Sequence, residues 1–141
     1  MPARRCTHRG EPPLFIHGFA DAAVAAAAIS KVFAGGHVVV TTDAHGSVID
    51  VLAFTRPTHT AEDAIAAGLD AHRRSSAACR MLVVSVLHGV DIVTPNDLEI
   101  EGWKEAADRC RRNGVELVDW IQCSGELLRS LSITAQTRHA R

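Results

Sequence analysis

The chain lacks the features that mark several large classes of protein. Its 141 residues carry 15 Lys and Arg against 16 Asp and Glu, a formal net charge of −1. Bulk charge therefore gives no basis for nucleic-acid binding. The longest apolar-rich stretch, residues 18–34, is mostly alanine and contains Asp21 and Lys31. It is too short and too weakly apolar to span a bilayer. Residues 1–13 are polar and no cleavable apolar core follows, so nothing reads as a secretory leader. Cys6, Cys79, Cys110 and Cys123 show no C-x-x-C spacing. Buried free thiols in a cytoplasmic protein are their plain reading, against a metal or redox role. Cys6-x-His8 offers only two metal ligands. There is no G-x-S-x-G, and no cysteine has a sequence-evident His partner, which argues against a serine or cysteine hydrolase. Internal repeats and low-complexity linkers are absent as well.

What is present suits one folded domain. The hydrophobic share is 47%, near the globular norm, and the length buries a core without staples. Residues 1–17 and 134–141 read as flexible tails around a domain at 18–133. A first helix is expected over 21–34, capped by Asp21, with Val24, Ala28, Ile29, Val32 and Phe33 facing inward. HVVVTTD (37–43) and SVIDVLAF (47–54) are β-branched runs separated by a short turn and predict an antiparallel hairpin. Asp50 fits there on a solvent-facing edge. Thr60 and Asp63 form a T-x-x-D capping box that opens a second helix running to about Ser75, with Ile65, Leu69 and His72 on one face. His59 and His72 lack a second ligand at helical spacing and read as packing or surface residues.

The central stretch is MLVVSVLHGVDIVTPND, residues 81–97. Residues 81–87 form an almost uninterrupted apolar run, as a strand covered on both faces requires. Thr94 suits an N-cap, Pro95 the first helical turn and Asp97 the third position of a helix whose inner stripe is Ile100, Trp103, Ala107 and Cys110. Acidic residues come early in that helix and arginines late, which complements its dipole. Asn113-Gly114 stops it, and VELVDWIQ (115–122) alternates like a strand, broken by Asp119. A short last strand or turn follows. Val83, Val84, Leu87, Trp103 and Trp120 are expected in the core. The order predicts an α/β (α+β) fold, a single mixed β-sheet with packed helices. His88 and Asp97 then fall at the carboxyl edge of a central strand, where open α/β sheets place ligands.

These details resemble the RadC-like JAB domain, the JAMM/MPN metallopeptidase fold, over most of the chain. The likeness is clearest late: a helix ending in a Gly, a strand like LLDHIIVG, then a Ser-Leu pair, matched here by Asn113-Gly114, Leu117-Val118-Asp119-Trp120-Ile121 and Ser130-Leu131. The family's Pro-Ser-x-x-Asp segment is matched by Val93-Thr94-Pro95-Asn96-Asp97, and its early hairpin by VVVTTDAHGSVIDVLAF. The resemblance implies a zinc site held by His-x-His-Pro-x-Gly and the downstream Asp, with an acidic base on an earlier strand. At that place the chain reads Ser85-Val86-Leu87-His88-Gly89-Val90, and the family's His after the strand-borne Asp is Trp120. Asp50 is the candidate base. His88 and Asp97 remain as metal candidates, with Asp91 or His59 as a third ligand, although a turn is the better account of His88 and a cap of Asp97. Catalytic zinc takes three protein ligands and an open position.

The expectation is therefore a catalytically inactive JAB/RadC-like domain, without cofactor, that binds a protein partner or a second copy. The alternative is a zinc-dependent peptidase or hydrolase with rearranged ligands. A small-molecule-binding α/β domain is a third reading, from fold analogy alone.

Overall fold

The computed structural model describes residues 16, 18–87 and 95–139. The described elements are α1 (Phe19–Val32), β1 (Gly36–Thr42), β2 (Val48–Phe54), α2 (Ala61–Arg74), β3 (Arg80–Val86), α3 (Asp97–Arg112), β4 (Glu116–Ser124), β5 (Leu127–Ser130) and α4 (Leu131–His139). The five strands form one mixed sheet in the order β2-β1-β3-β4-β5. Only β3 and β4 run parallel, and α3 makes the crossover between them that parallel strands require. The expected α+β class, the antiparallel hairpin and the central place of β3 are all present.

Alternation along the strands divides the core in two. Val38, Val40, Leu82, Val84, Ile121 and Cys123 face α1 and pack with Ala22, Ala25 and Ala26. Val39, Met81, Val83 and Leu117 face α2 and α3 and pack with Ile65, Leu69, Ala106 and Cys110. Gly68 brings α2 close to the sheet: a Cβ there would lie 2.6 Å from Met81 Cε. Cys110 and Cys123 are buried free thiols, Cys79 is partly buried, and Cys6 lies outside the described residues.

Several expectations need correction. α1 begins at Phe19 after Gly18, with no side-chain cap, so Asp21 falls in its first turn. Its inner face is the small one, Ala22, Ala25 and Ala26 with Ile29 and Phe33, while Val24 and Val32 are 67% and 75% exposed. Alanines let the helix axis approach the sheet, and the larger valines are displaced to the outer side. The cap of α3 is Asn96, not Thr94: Asn96 Oδ1 accepts from Glu99 N–H at 2.8 Å, and Glu99 Oε1 accepts from Asn96 N–H at 3.1 Å. Asp97 is thus the first residue of the helix rather than its third. Residues 134–139, expected as tail, continue α4. Val83 and Val84 are fully buried as expected, whereas Leu87, Trp103 and Trp120 are only partly so. The Thr60–Asp63 capping box of α2 is present as read.

Candidate functional site

Two buried polar clusters flank the parallel pair, one on each side of the sheet. The first is centred on Asp119, 2% exposed in β4. Its Oδ2 accepts from the Ser130 hydroxyl at 2.6 Å. Its Oδ1 accepts from the backbone N–H of Trp120 at 2.7 Å and of Ser132 at 3.1 Å. Ser130 Oγ in turn accepts from Ile133 N–H at 3.0 Å. Ser130 and Asp119 therefore cap the start of α4 together, where orphan amides and the helix dipole favour an anion. Burial nevertheless pushes the Asp119 carboxyl above its ordinary 3.8, against the lowering effect of those bonds.

The second cluster lies on the α2–α3 side. Ser85, in β3, is 2% exposed, and register sets it opposite His37 of β1 on one side and Gln122 of β4 on the other. Trp120 Nε1–H donates to Ser85 Oγ at 2.9 Å, and Ser85 Oγ lies 2.8 Å from His37 Nδ1. An indole only donates, so Ser85 Oγ accepts from it, and the serine hydroxyl proton finds its acceptor in His37 Nδ1. The neutral imidazole then carries its own proton on Nε2. Burial lowers the His37 pKa below 6.5; Asp63 opposes that effect and His59 adds to it. His59 stacks edge-on against Phe54 at 5.3 Å, and Phe54 pairs with His37 across the hairpin.

Around this relay a charged group fixes the entry of α3. Glu99 Oε2 accepts from Gln122 Nε2 at 3.2 Å and from the Arg129 guanidinium, which also donates to Gln122 Oε1. One residue thus closes the α3 cap and docks the helix onto β4 and β5. A cavity of about 570 Å³ lies at the opposite, amino edge, near Cys79, Arg80 and Glu116. Arg80 is tied there to Glu116 at 3.0 Å and to the Ile16 carbonyl at 3.2 Å.

The residues singled out from sequence are distributed unevenly. Asp119 and Trp120 are adjacent members of the two clusters. Asp97 is exposed at the first turn of α3. His88, Asp91 and Thr94 lie outside the described residues. Asp50 is exposed on the edge strand, and register aligns it with Thr41 and, one strand further, Met81. That is four residues short of Ser85, roughly 13 Å along the strand direction, so β2 does not bring Asp50 to the carboxyl edge. His59 reaches the relay's neighbourhood without joining a ligand set, and His72 holds the Ala78 carbonyl at 3.1 Å.

Sequence reading missed His37 as a functional candidate and the partnership of Ser85. The available signal was small: Ser85 is the one polar residue inside the apolar run 81–87. Its link to His37 depends on the β1–β3 register.

The pair Ser85–His37 has the composition of a nucleophile and its base. Its geometry suits structure better, because the serine is buried and its oxygen is already engaged by an indole. Leu87 and Trp120 offer no metal-ligating atom, and among the described residues no group of three His, Cys, Asp or Glu is arranged to hold an ion.

A scan against protein-family models finds no match to this chain, and a search of curated proteins finds none either. Among the described residues, no helix is long and apolar enough to cross a membrane.

Proposed function

We propose that the chain is a RadC-like JAB domain that has lost the zinc chemistry of that fold and acts in the cytoplasm by binding a protein partner or a second copy of itself. The observation that carries this reading is the engagement of Ser85. Residues 85–88 stand where the resemblance puts His-x-His-Pro, and Ser85 is held between Trp120 and His37 in a closed set of hydrogen bonds. Trp120 in turn stands where the resemblance puts a histidine. Further support comes from the motif positions Asp119 and Ser130, which are bonded to each other at 2.6 Å. A binding role is supported by the outer face of α1, where Val24 and Val32 are exposed.

Zinc analysis tests the reading. After dialysis against chelator-free buffer the protein is expected to hold no stoichiometric zinc and to cleave neither peptide nor isopeptide substrates. Roughly one zinc per chain, lost on Asp97→Ala, would instead establish a metallohydrolase with rearranged ligands. Light scattering at low micromolar concentration separates the two binding versions: self-association supports the homodimer, and a clean monomer leaves the hetero-partner.

A further inference from the structure

The His37–Ser85–Trp120 relay joins three adjacent strands at the end of β3, where the chain leaves the sheet for α3. Its direction is dictated by chemistry. Trp120 Nε1–H can only donate, so Ser85 Oγ accepts, and the Ser85 hydroxyl needs an acceptor because a residue 2% exposed has little water to turn to. The acceptor is His37 Nδ1 at 2.8 Å. That acceptor exists only while the imidazole is neutral. A proton added at Nδ1 converts it into a donor facing a hydroxyl already committed as a donor, and the Ser85 proton is displaced from its place.

We propose that His37 is a proton-operated latch at the carboxyl edge of the sheet. With the imidazole neutral, the relay ties β1, β3 and β4 together. With the imidazole protonated, Nδ1–H donates to the second acceptor site of Ser85 Oγ, the serine proton loses its acceptor, and the oxygen that holds the Trp120 indole is shared between two donors. The groups acting on the latch are few among the described residues. Asp63, in the first turn of α2, favours the proton, and His59, in the loop before α2, disfavours it when charged. β3 and β4 contribute the neutral Ser85 and Trp120. Burial of the ring opposes protonation and keeps the latch closed at neutral pH. Opening then falls in the mildly acidic range in which histidine switches operate. The first segment affected is the end of β3, where Leu87 N–H still bonds the Cys123 carbonyl at 2.8 Å.

The test is a proton–nitrogen NMR titration of the full chain from about pH 8 to about pH 5, with Trp103→Phe used to assign the two indoles. The Trp120 indole resonance is expected to shift with a midpoint below 6.5, matching that of the His37 ring. In His37→Asn the shift disappears. Should that variant fold poorly, Ser85→Ala serves: His37 still titrates and the Trp120 resonance no longer follows it. Asp63→Asn should lower the midpoint and His59→Ala should raise it. A Trp120 resonance that stays flat while His37 titrates overturns the latch, as does a shift that survives in His37→Asn. Neither readout involves zinc or cleavage, so the latch fails or stands independently of the JAB reading.

Discussion

The two buried clusters differ in every respect that matters for a protein interior. Around Asp119 one carboxylate receives three donors, all from residues 120–132, and the cluster starts a helix. Around Ser85 three neutral groups from residues 37, 85 and 120 share two bonds, and the cluster starts nothing. The first is local in sequence and anchored by a charge. The second is long-range and balanced on the position of one proton. Buried polar groups are costly when half-satisfied, so the Asp119 cluster serves as a fixture and the Ser85 cluster as a condition-dependent joint.

The comparison breaks most visibly at Asp119. Asp119→Ala strands the Ser130 hydroxyl proton and two amides and leaves Ser130 alone to cap α4; urea unfolding should show a loss of roughly 2–5 kcal/mol. Trp120→Phe removes one donor from the other cluster while keeping most of the ring. It should cost about 0.5–1.5 kcal/mol in the same measurement. If the two variants cost the same, the distinction between fixture and joint collapses.

Acid titration sharpens the contrast because the two clusters push in opposite directions. His37 has a folded pKa below 6.5, so as pH falls beneath 6.5 the unfolded chain takes up the proton first and stability declines down to the folded pKa. Asp119 has a folded pKa above 3.8. Its contribution is complete below 3.8 and is lost as pH rises through the folded value. Melting temperature against pH should therefore lose its near-neutral slope in His37→Asn and keep it in Asp119→Asn.

A further test concerns the α3 cap. Asn96→Ala should cost about 0.5–2 kcal/mol, and less when Glu99 is already replaced, because the two share one box. Thr94→Ala should leave the cap intact. A full capping loss on Thr94→Ala would move the start of α3 back to where sequence alone placed it.

What was legible in the sequence follows the same division. Local patterns carried well: the hairpin, the Thr60–Asp63 box and the apolar run of β3. Capping at α3 was ambiguous because Thr94, Asn96, Asp97 and Glu99 supply two overlapping boxes within six residues, and the choice depends on how Glu99 meets Gln122 and Arg129 from other strands. The inner face of α1 was misjudged because an alanine-rich helix carries little amphipathic signal; size complementarity with the sheet decides which side is buried. The relay was illegible because it requires the register of β1 against β3 and the parity of β4, which no single segment encodes.

Asp50 has a consequence outside both clusters. β2 is an edge strand reading VIDVLAF, and Ile49 and Val51 are 42% and 48% exposed. Such a strand is a template for another chain to extend the sheet. A charge in the middle of an edge strand works against such pairing, and Asp50 holds that place in β2. The acid at position 50 thus blunts an edge whose other outward side chains, Ile49 and Val51, would favour pairing.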